Sequence, residues 1–402
     1  MVFIPRLFAL LFLSAAVSLA QQDPAADRCP AVPAKPILSK LTDPFTFFNK
    51  HPVRTKADWE CRRAEIREFL QRYQLGPLPT KPPTSVTGQL SETGAFNVTV
   101  TEGDVNVTFT AQIQLPTVDA VGGPKGGVPA IIAIGVPTIP IPPDVAVITF
   151  NMVEIAHSTG LQSRGKGFFY DLYGSDHPAG GLIAWSWGVS RLIDALEKHP
   201  ETGINAQRLG VAGCSRMGKG AMVIGAFEPR IKLTIPQESG AGGSACWRIS
   251  DHLLHTRGVT TQTAGQIVKE NVWFGPAFDS YTGQIGVLPF DQHLLAALIA
   301  PRALLVEENT GIDWLGPESV WGCQRAARTV WRALGVADRM GLSLPSGHNH
   351  CALPETSKPY VEAFIDRFLK DKEKVNTTVF YTSAEFPEYE DKDWIDWDVP
   401  RF

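Results

Sequence analysis

Short apolar runs with almost no polar interruption are the strongest constraint on how this chain can fold. Residues 128–136 and 145–150 are nearly continuous hydrophobic stretches bounded by glycine and proline, and residues 208–214, 231–236 and 301–306 continue the texture. A strand with one wet face alternates polar and apolar residues, whereas a strand covered on both faces reads as an unbroken apolar run. Helical segments fall between and after these runs, at residues 181–198 and 217–227, and a last helix is predicted at about 358–374. Buried strands alternating with helices specify a parallel sheet covered on both sides. Upstream the pattern differs: across residues 85–115, Val98, Val100, Val105, Val107 and Phe109 alternate with polar residues. That predicts antiparallel strands with one wet face at the N-terminal edge. Residues 58–73 have helical periodicity, with Trp59, Ile66, Phe69 and Leu70 on one side. The fold class is therefore α/β, a three-layer sandwich around a mainly parallel central sheet.

Residues 1–20 read as a secretory signal peptide, with Arg6, an apolar run over 7–17 and the small residues Ser18-Leu19-Ala20. The run is shorter than the roughly 20 residues that span a bilayer. Residues 21–402 are expected to be one secreted, extracellular domain with no membrane contact. No repeat or low-complexity linker divides them. With 37 basic and 41 acidic residues and no basic cluster, nucleic acid is not an expected partner. Six cysteines in an exported chain favour three disulfides, although the number alone leaves the pairing open. The sequons at Asn97, Asn106 and Asn376 predict glycosylation. Residues 376–402 form an acidic, aromatic arm with Trp394 and Trp397, read as packed on its own domain or flexible in preference to binding a partner.

The chemistry concentrates at Gly213-Cys214-Ser215-Arg216-Met217-Gly218-Lys219, where a buried strand runs directly into a helix. A serine there occupies a nucleophile elbow, with its hydroxyl at a helix N-terminus that favours negative charge. The usual G-x-S-x-G pattern is broken, because Met217 stands two after Ser215 and Gly218 three after. Arg216 and Lys219 place two cations in the first helical turn, against the helix dipole. That unfavourable placement points to function, such as stabilising an oxyanion. A base is expected after the last strand, at Ser346-Gly347-His348-Asn349-His350-Cys351, where either histidine fits the chain order of α/β-hydrolases. A bridge between Cys214 and Cys351 would clamp the serine to the histidine loop and favours His350. A metal site of His348, His350 and Cys351 lacks a fourth ligand at suggestive spacing. The acid is open from the residues alone: Glu238, Glu307, Glu308 and Asp313 all stand at strand ends.

The string around Ser215 resembles the G-C-S-R-x-G-K motif of fungal glucuronoyl esterases. The resemblance continues through residues 228–240, Ser244-Ala245-Cys246-Trp247-Arg248, Glu270-Asn271-Val272-Trp273-Phe274, Pro301-Arg302-Ala303-Leu304, Trp314-Leu315-Gly316-Pro317 and His350-Cys351. It covers roughly residues 29–369 and implies a single-domain α/β-hydrolase, a monomer that needs no metal or other cofactor. The implied activity is hydrolysis of esters between 4-O-methyl-D-glucuronic acid of glucuronoxylan and lignin alcohols. By the same resemblance Ser215 is the nucleophile, Glu238 the acid, His350 the base and Arg216 an oxyanion donor. Lys219, Gln262, Glu270 and Trp314 would hold the sugar. The implied disulfides are Cys29–Cys61, Cys214–Cys351 and Cys246–Cys323. The acidic aromatic arm departs from the family pattern. Alternatives are an acetyl xylan or feruloyl esterase, or a non-catalytic carbohydrate-binding homologue.

Overall fold

A computed structural model describes residues 39–116 and 126–402. The expected signal peptide and Cys29 lie outside the described residues. In chain order the strands are β1 (Ser85–Leu90), β2 (Ala95–Glu102), β3 (Val105–Gln114), β4 (Val128–Ile134), β5 (Ala146–Phe150), β6 (Ile204–Cys214), β7 (Ile231–Gln237), β8 (Ala303–Glu307), β9 (Met340–Leu344) and β10 (Phe380–Thr382). They form one sheet in the order β1-β2-β3-β5-β4-β6-β7-β8-β9-β10. The pairs β1–β2, β2–β3 and β3–β5 are antiparallel, and every pair from β5–β4 to β9–β10 is parallel. The predicted architecture, mainly parallel with an antiparallel N-terminal edge, is the one observed.

The burial pattern explains the two textures of the sequence. Along β3, Val107, Phe109, Ala111 and Ile113 are buried and the residues between them are exposed. From Pro129 onward every residue of β4 is buried. In the centre, Leu209, Val211, Leu304 and Val306 face a core shared with the helices Gly181–Leu196 and Arg216–Phe227. Their neighbours Ala212, Leu233, Ile235 and Leu305 face a second core, closed by Val361, Phe364 and Ile365 of the helix Lys358–Phe368. Successive strand residues therefore enter opposite cores, and truncating any of the large ones to alanine costs about 2–5 kcal/mol.

Two differences from the sequence reading have local causes. The first helix runs Lys56–Leu70, capped by a reciprocal Thr55–Asp58 box, and continues as a wider turn over Gln71–Leu75. The last large helix stops at Phe368, because Asp371 adopts a left-handed conformation (φ 55°) and pairs with Arg208. The C-terminal arm is packed on its own chain and supplies the tenth strand. Phe402 N–H donates to the Ala333 carbonyl (3.1 Å), Leu41 N–H donates to the Trp394 carbonyl (3.1 Å), and Trp397 stacks on His293. Among the described residues no helix is long and apolar enough to cross a membrane. Asn106 and Asn376 are exposed, whereas Asn97 is part-buried and accepts a hydrogen bond from Thr110 Oγ1 at 2.7 Å.

Candidate active site

Parallel strands β6, β7, β8 and β9 end on one edge of the sheet, and the loops that leave them carry most of the residues singled out above. Ser215 follows β6 directly and holds φ 60°, ψ −127°, a conformation that non-glycine residues rarely adopt. Its N–H donates to the Gln237 carbonyl (2.9 Å) and its carbonyl accepts from Lys219 N–H (3.0 Å), so the turn is fixed on both sides. The glycines that make this elbow possible are Gly213 and Gly218. A Cβ on Gly213 would lie 2.5 Å from the Met217 carbonyl oxygen, and one on Gly218 would lie 2.5 Å from the Gln237 oxygen. The displaced second glycine thus has a steric reason: here the residue three after the serine, not two after, presses against β7.

The loop after β9 is bound to this elbow covalently. Cys214 and Cys351 form a disulfide with Cα atoms 5.7 Å apart. Cys351 also holds a positive φ of 64°, as does Glu238 at 43°. Ser215, Glu238 and Cys351 are three of the five described non-glycine residues with positive φ. Strain of this kind persists only where surrounding bonds hold it, and it gathers at functional sites. Glu238 is held by its N–H to the Glu307 carbonyl (2.7 Å), and its side chain is 1% exposed. Its Oε2 lies 2.5 Å from His350 Nδ1 and accepts from Cys351 N–H at 3.0 Å. Its Oε1 lies 3.4 Å from His348 Nδ1. Of the four carboxylates left open by sequence, Glu238 is the one on His350. Asp313 is exposed in the short turn Asp313–Leu315, and Glu307 and Glu308 are buried elsewhere.

Those two buried carboxylates do different things. Glu308 Oε1 accepts from Ser239 N–H (2.7 Å), Gly240 N–H (3.1 Å) and the hydroxyls of Ser239 and Ser244, so it organises the turn that leaves Glu238. Burial pushes its carboxyl above the usual range against the pull of these donors. Glu307 sits beside Ser343 and Ser357, and burial pushes it up to about 8. In sequence both stand only as alternative acids; the turn-organising role of Glu308 carries no local sequence signal.

The residues expected to hold a sugar differ in exposure. Lys219 is buried, its Nζ donates to the Ser239 carbonyl, and it stands over the Trp273 ring at 5.4 Å. Burial lowers its pKa to about 8. Arg216 opens the helix Arg216–Phe227 with its side chain exposed. The Trp314 ring meets the His350 ring edge-on at 5.0 Å, and the Trp314 carbonyl accepts from Gln262 N–H (3.0 Å). Glu270 is exposed at the end of the helix Ala264–Glu270. Trp273, missed as a contact from sequence, belongs to the string Glu270-Asn271-Val272-Trp273-Phe274. The donors of Cys214, His350 and Cys351 lie within 4.8 Å of one another, but both sulfurs are in the disulfide and neither is a thiolate ligand. A second disulfide joins Cys246 and Cys323; the expected Cys29–Cys61 pair falls partly outside the described residues.

The chain is similar over most of its length to known proteins. The family described as glucuronyl esterase, fungi, matches residues 98–335. A 4-O-methyl-glucuronoyl methylesterase of Podospora anserina is 49% identical over 379 residues, covering 92% of this chain and 77% of that one. The solved glucuronoyl esterase catalytic domain from Hypocrea jecorina superposes with a TM-score of 0.86 at 47% identity, covering 92% of this chain and 99% of the other. A serine-to-alanine mutant of the Sporotrichum thermophile glucuronoyl esterase, in complex with methyl 4-O-methyl-β-D-glucopyranuronate, gives 0.85 at 47% identity over 91% and 96%.

Proposed function

The chain belongs to the fungal glucuronyl esterase family, and on that premise we propose a serine acyl-transfer mechanism for its glucuronoyl esterase activity. His350 removes the Ser215 proton, Ser215 attacks the ester carbonyl of a 4-O-methyl-D-glucuronate, and Glu238 stabilises the imidazolium that forms. Arg216 and the free N–H groups at the start of its helix stabilise the oxyanion. His350 then protonates the departing alcohol, and water attacks the acyl-enzyme to release glucuronate and restore Ser215. The observation that carries this reading is the Glu238 Oε2–His350 Nδ1 contact at 2.5 Å, held beside Ser215 by the Cys214–Cys351 bridge.

The physiological substrate in this proposal is the ester linking glucuronoxylan to a lignin alcohol. Trp314, Gln262 and Glu270 form one side of the sugar site. Lys219 contributes from behind, since only one of its three donors is committed to Ser239. The protein acts as a secreted, extracellular monomer, a single domain following a signal peptide over residues 1–20, with glycans at Asn97, Asn106 and Asn376. Comparing hydrolysis of methyl 4-O-methyl-glucuronate, acetylated xylan and methyl ferulate tests the substrate class. Turnover favouring acetylated xylan or methyl ferulate would reject it. Covalent labelling of Ser215 by a serine-directed phosphonate separates an esterase from a non-catalytic homologue.

A further inference from the structure

The Glu238 carboxylate has two oxygens, and the triad reading uses only one. Oε2 serves His350 and Cys351, while Oε1 is buried without a hydrogen-bond partner. The group facing Oε1 is His348 Nδ1, at 3.4 Å. The His348 side chain is 8% exposed, and its Nε2 is buried without a partner. A neutral imidazole carries one N–H and one lone pair, so its proton must be on Nδ1 or Nε2. On Nε2 it would be a buried donor with no acceptor, and a bare anionic oxygen would face the Nδ1 lone pair, both unfavourable.

The surroundings of Nδ1 favour the other tautomer. Asn309 is oriented by Gly311 N–H, which donates to its Oδ1 at 2.9 Å, so its Nδ2 faces His348. Its two N–H groups reach the His348 carbonyl at 3.0 Å and Nδ1 at 3.2 Å, so Asn309 is the one donor that competes for Nδ1. Two acceptors also face Nδ1: Glu238 Oε1 and, at 3.3 Å, the Asn349 carbonyl. We propose that His348 is a positioning residue whose Nδ1–H donates to Glu238 Oε1. The acid then has a histidine on each oxygen, and the carboxylate plane is locked so that Oε2 addresses His350. At 3.4 Å the contact is long in the free enzyme, as catalytic hydrogen bonds often are before substrate binds.

This inference rests on the triad reading, and the experiment separates the two. His348→Phe fills the space without a donor, whereas His348→Asn returns an N–H near the Nδ1 position. His348→Phe is expected to lower kcat roughly 10- to 100-fold, the worth of one hydrogen bond to a charged group, with KM unchanged. His348→Asn is expected to stay within about threefold of the parent. A His348→Phe enzyme within twofold of the parent overturns the proposal, and so does a His348→Asn enzyme as slow as His348→Phe. Should both variants lose the native melting transition, nitrogen-15 NMR of histidine-labelled parent protein decides. A proton on His348 Nδ1 supports the proposal; a bare Nδ1 with the proton on Nε2 overturns it. Parallel Ser215→Ala and Glu238→Gln enzymes that kept full activity would instead refute the triad itself.

Discussion

Removing the Cys214–Cys351 bridge should damage stability and catalysis together, whereas removing Cys246–Cys323 should damage stability alone. The first closes a loop of 137 residues and the second one of 77. Chain-entropy arithmetic gives about 17 and about 15 cal/mol/K, or about 5 and 4.5 kcal/mol at 25 °C, so the two nearly match in stability. They differ in what they hold. Cys351 adjoins His350, donates its N–H to Glu238 and carries a positive φ that the bridge helps maintain. Freed of the bridge, that backbone can relax, and a displacement of about 1 Å at reacting groups can lower the rate about 100-fold. The assay pairs guanidinium unfolding, followed by tryptophan fluorescence, with kcat on methyl 4-O-methyl-glucuronate at 25 °C. Both C214S/C351S and C246S/C323S should lose several kcal/mol, and only the first should lose at least about tenfold in kcat. Equal kcat in the two double variants would refute the positioning argument. A loss below about 1 kcal/mol for C214S/C351S would refute the entropic one.

Other consequences concern single side chains. Glu238→Gln should lower kcat by up to about 10⁴-fold, while Asp313→Asn leaves it unchanged; steady-state kinetics on the same ester distinguish them. Arg216→Ala should cost about 10²- to 10³-fold in kcat if it serves the oxyanion, and a change confined to KM would remove it from that role. Native Glu307 keeps its proton to about pH 8, whereas an unfolded glutamate releases it near 4.5. Stability therefore falls as pH rises across that window, and Glu307→Gln should flatten the fall in unfolding free energies measured between pH 5 and 8. Lys219 acts above pH 8 with the opposite sign, because burial lowers its native pKa from 10.5 to about 8.

Much of this fold was readable from texture. Unbroken apolar runs became strands facing two cores, and the alternating run before them became the wet antiparallel edge. The elbow was readable because a strand ran into a helix at Ser215 with no loop between. The choice among carboxylates was not readable from the residues alone, since Glu238, Glu307, Glu308 and Asp313 all stand at strand ends. Which one meets His350 depends on how the loops after β7 and β9 cross, and long-range contacts set that: the Glu238 N–H to Glu307 bond and the disulfide. The strand β10 is three residues with no usable period, so it appears only once its partner β9 is in place. His348 and His350 fit the chain order equally in sequence, and only the adjoining Cys351 favours His350. One is nearly buried against Glu238 Oε1 and the other is partly exposed on Oε2.

Attack of Ser215 on the uronate ester is put to the sharpest trial by the turnover of methyl 4-O-methyl-glucuronate by Ser215→Ala. The kcat should fall about 10⁴-fold or more, with the melting temperature preserved. A folded Ser215→Ala enzyme within tenfold of the parent would contradict it.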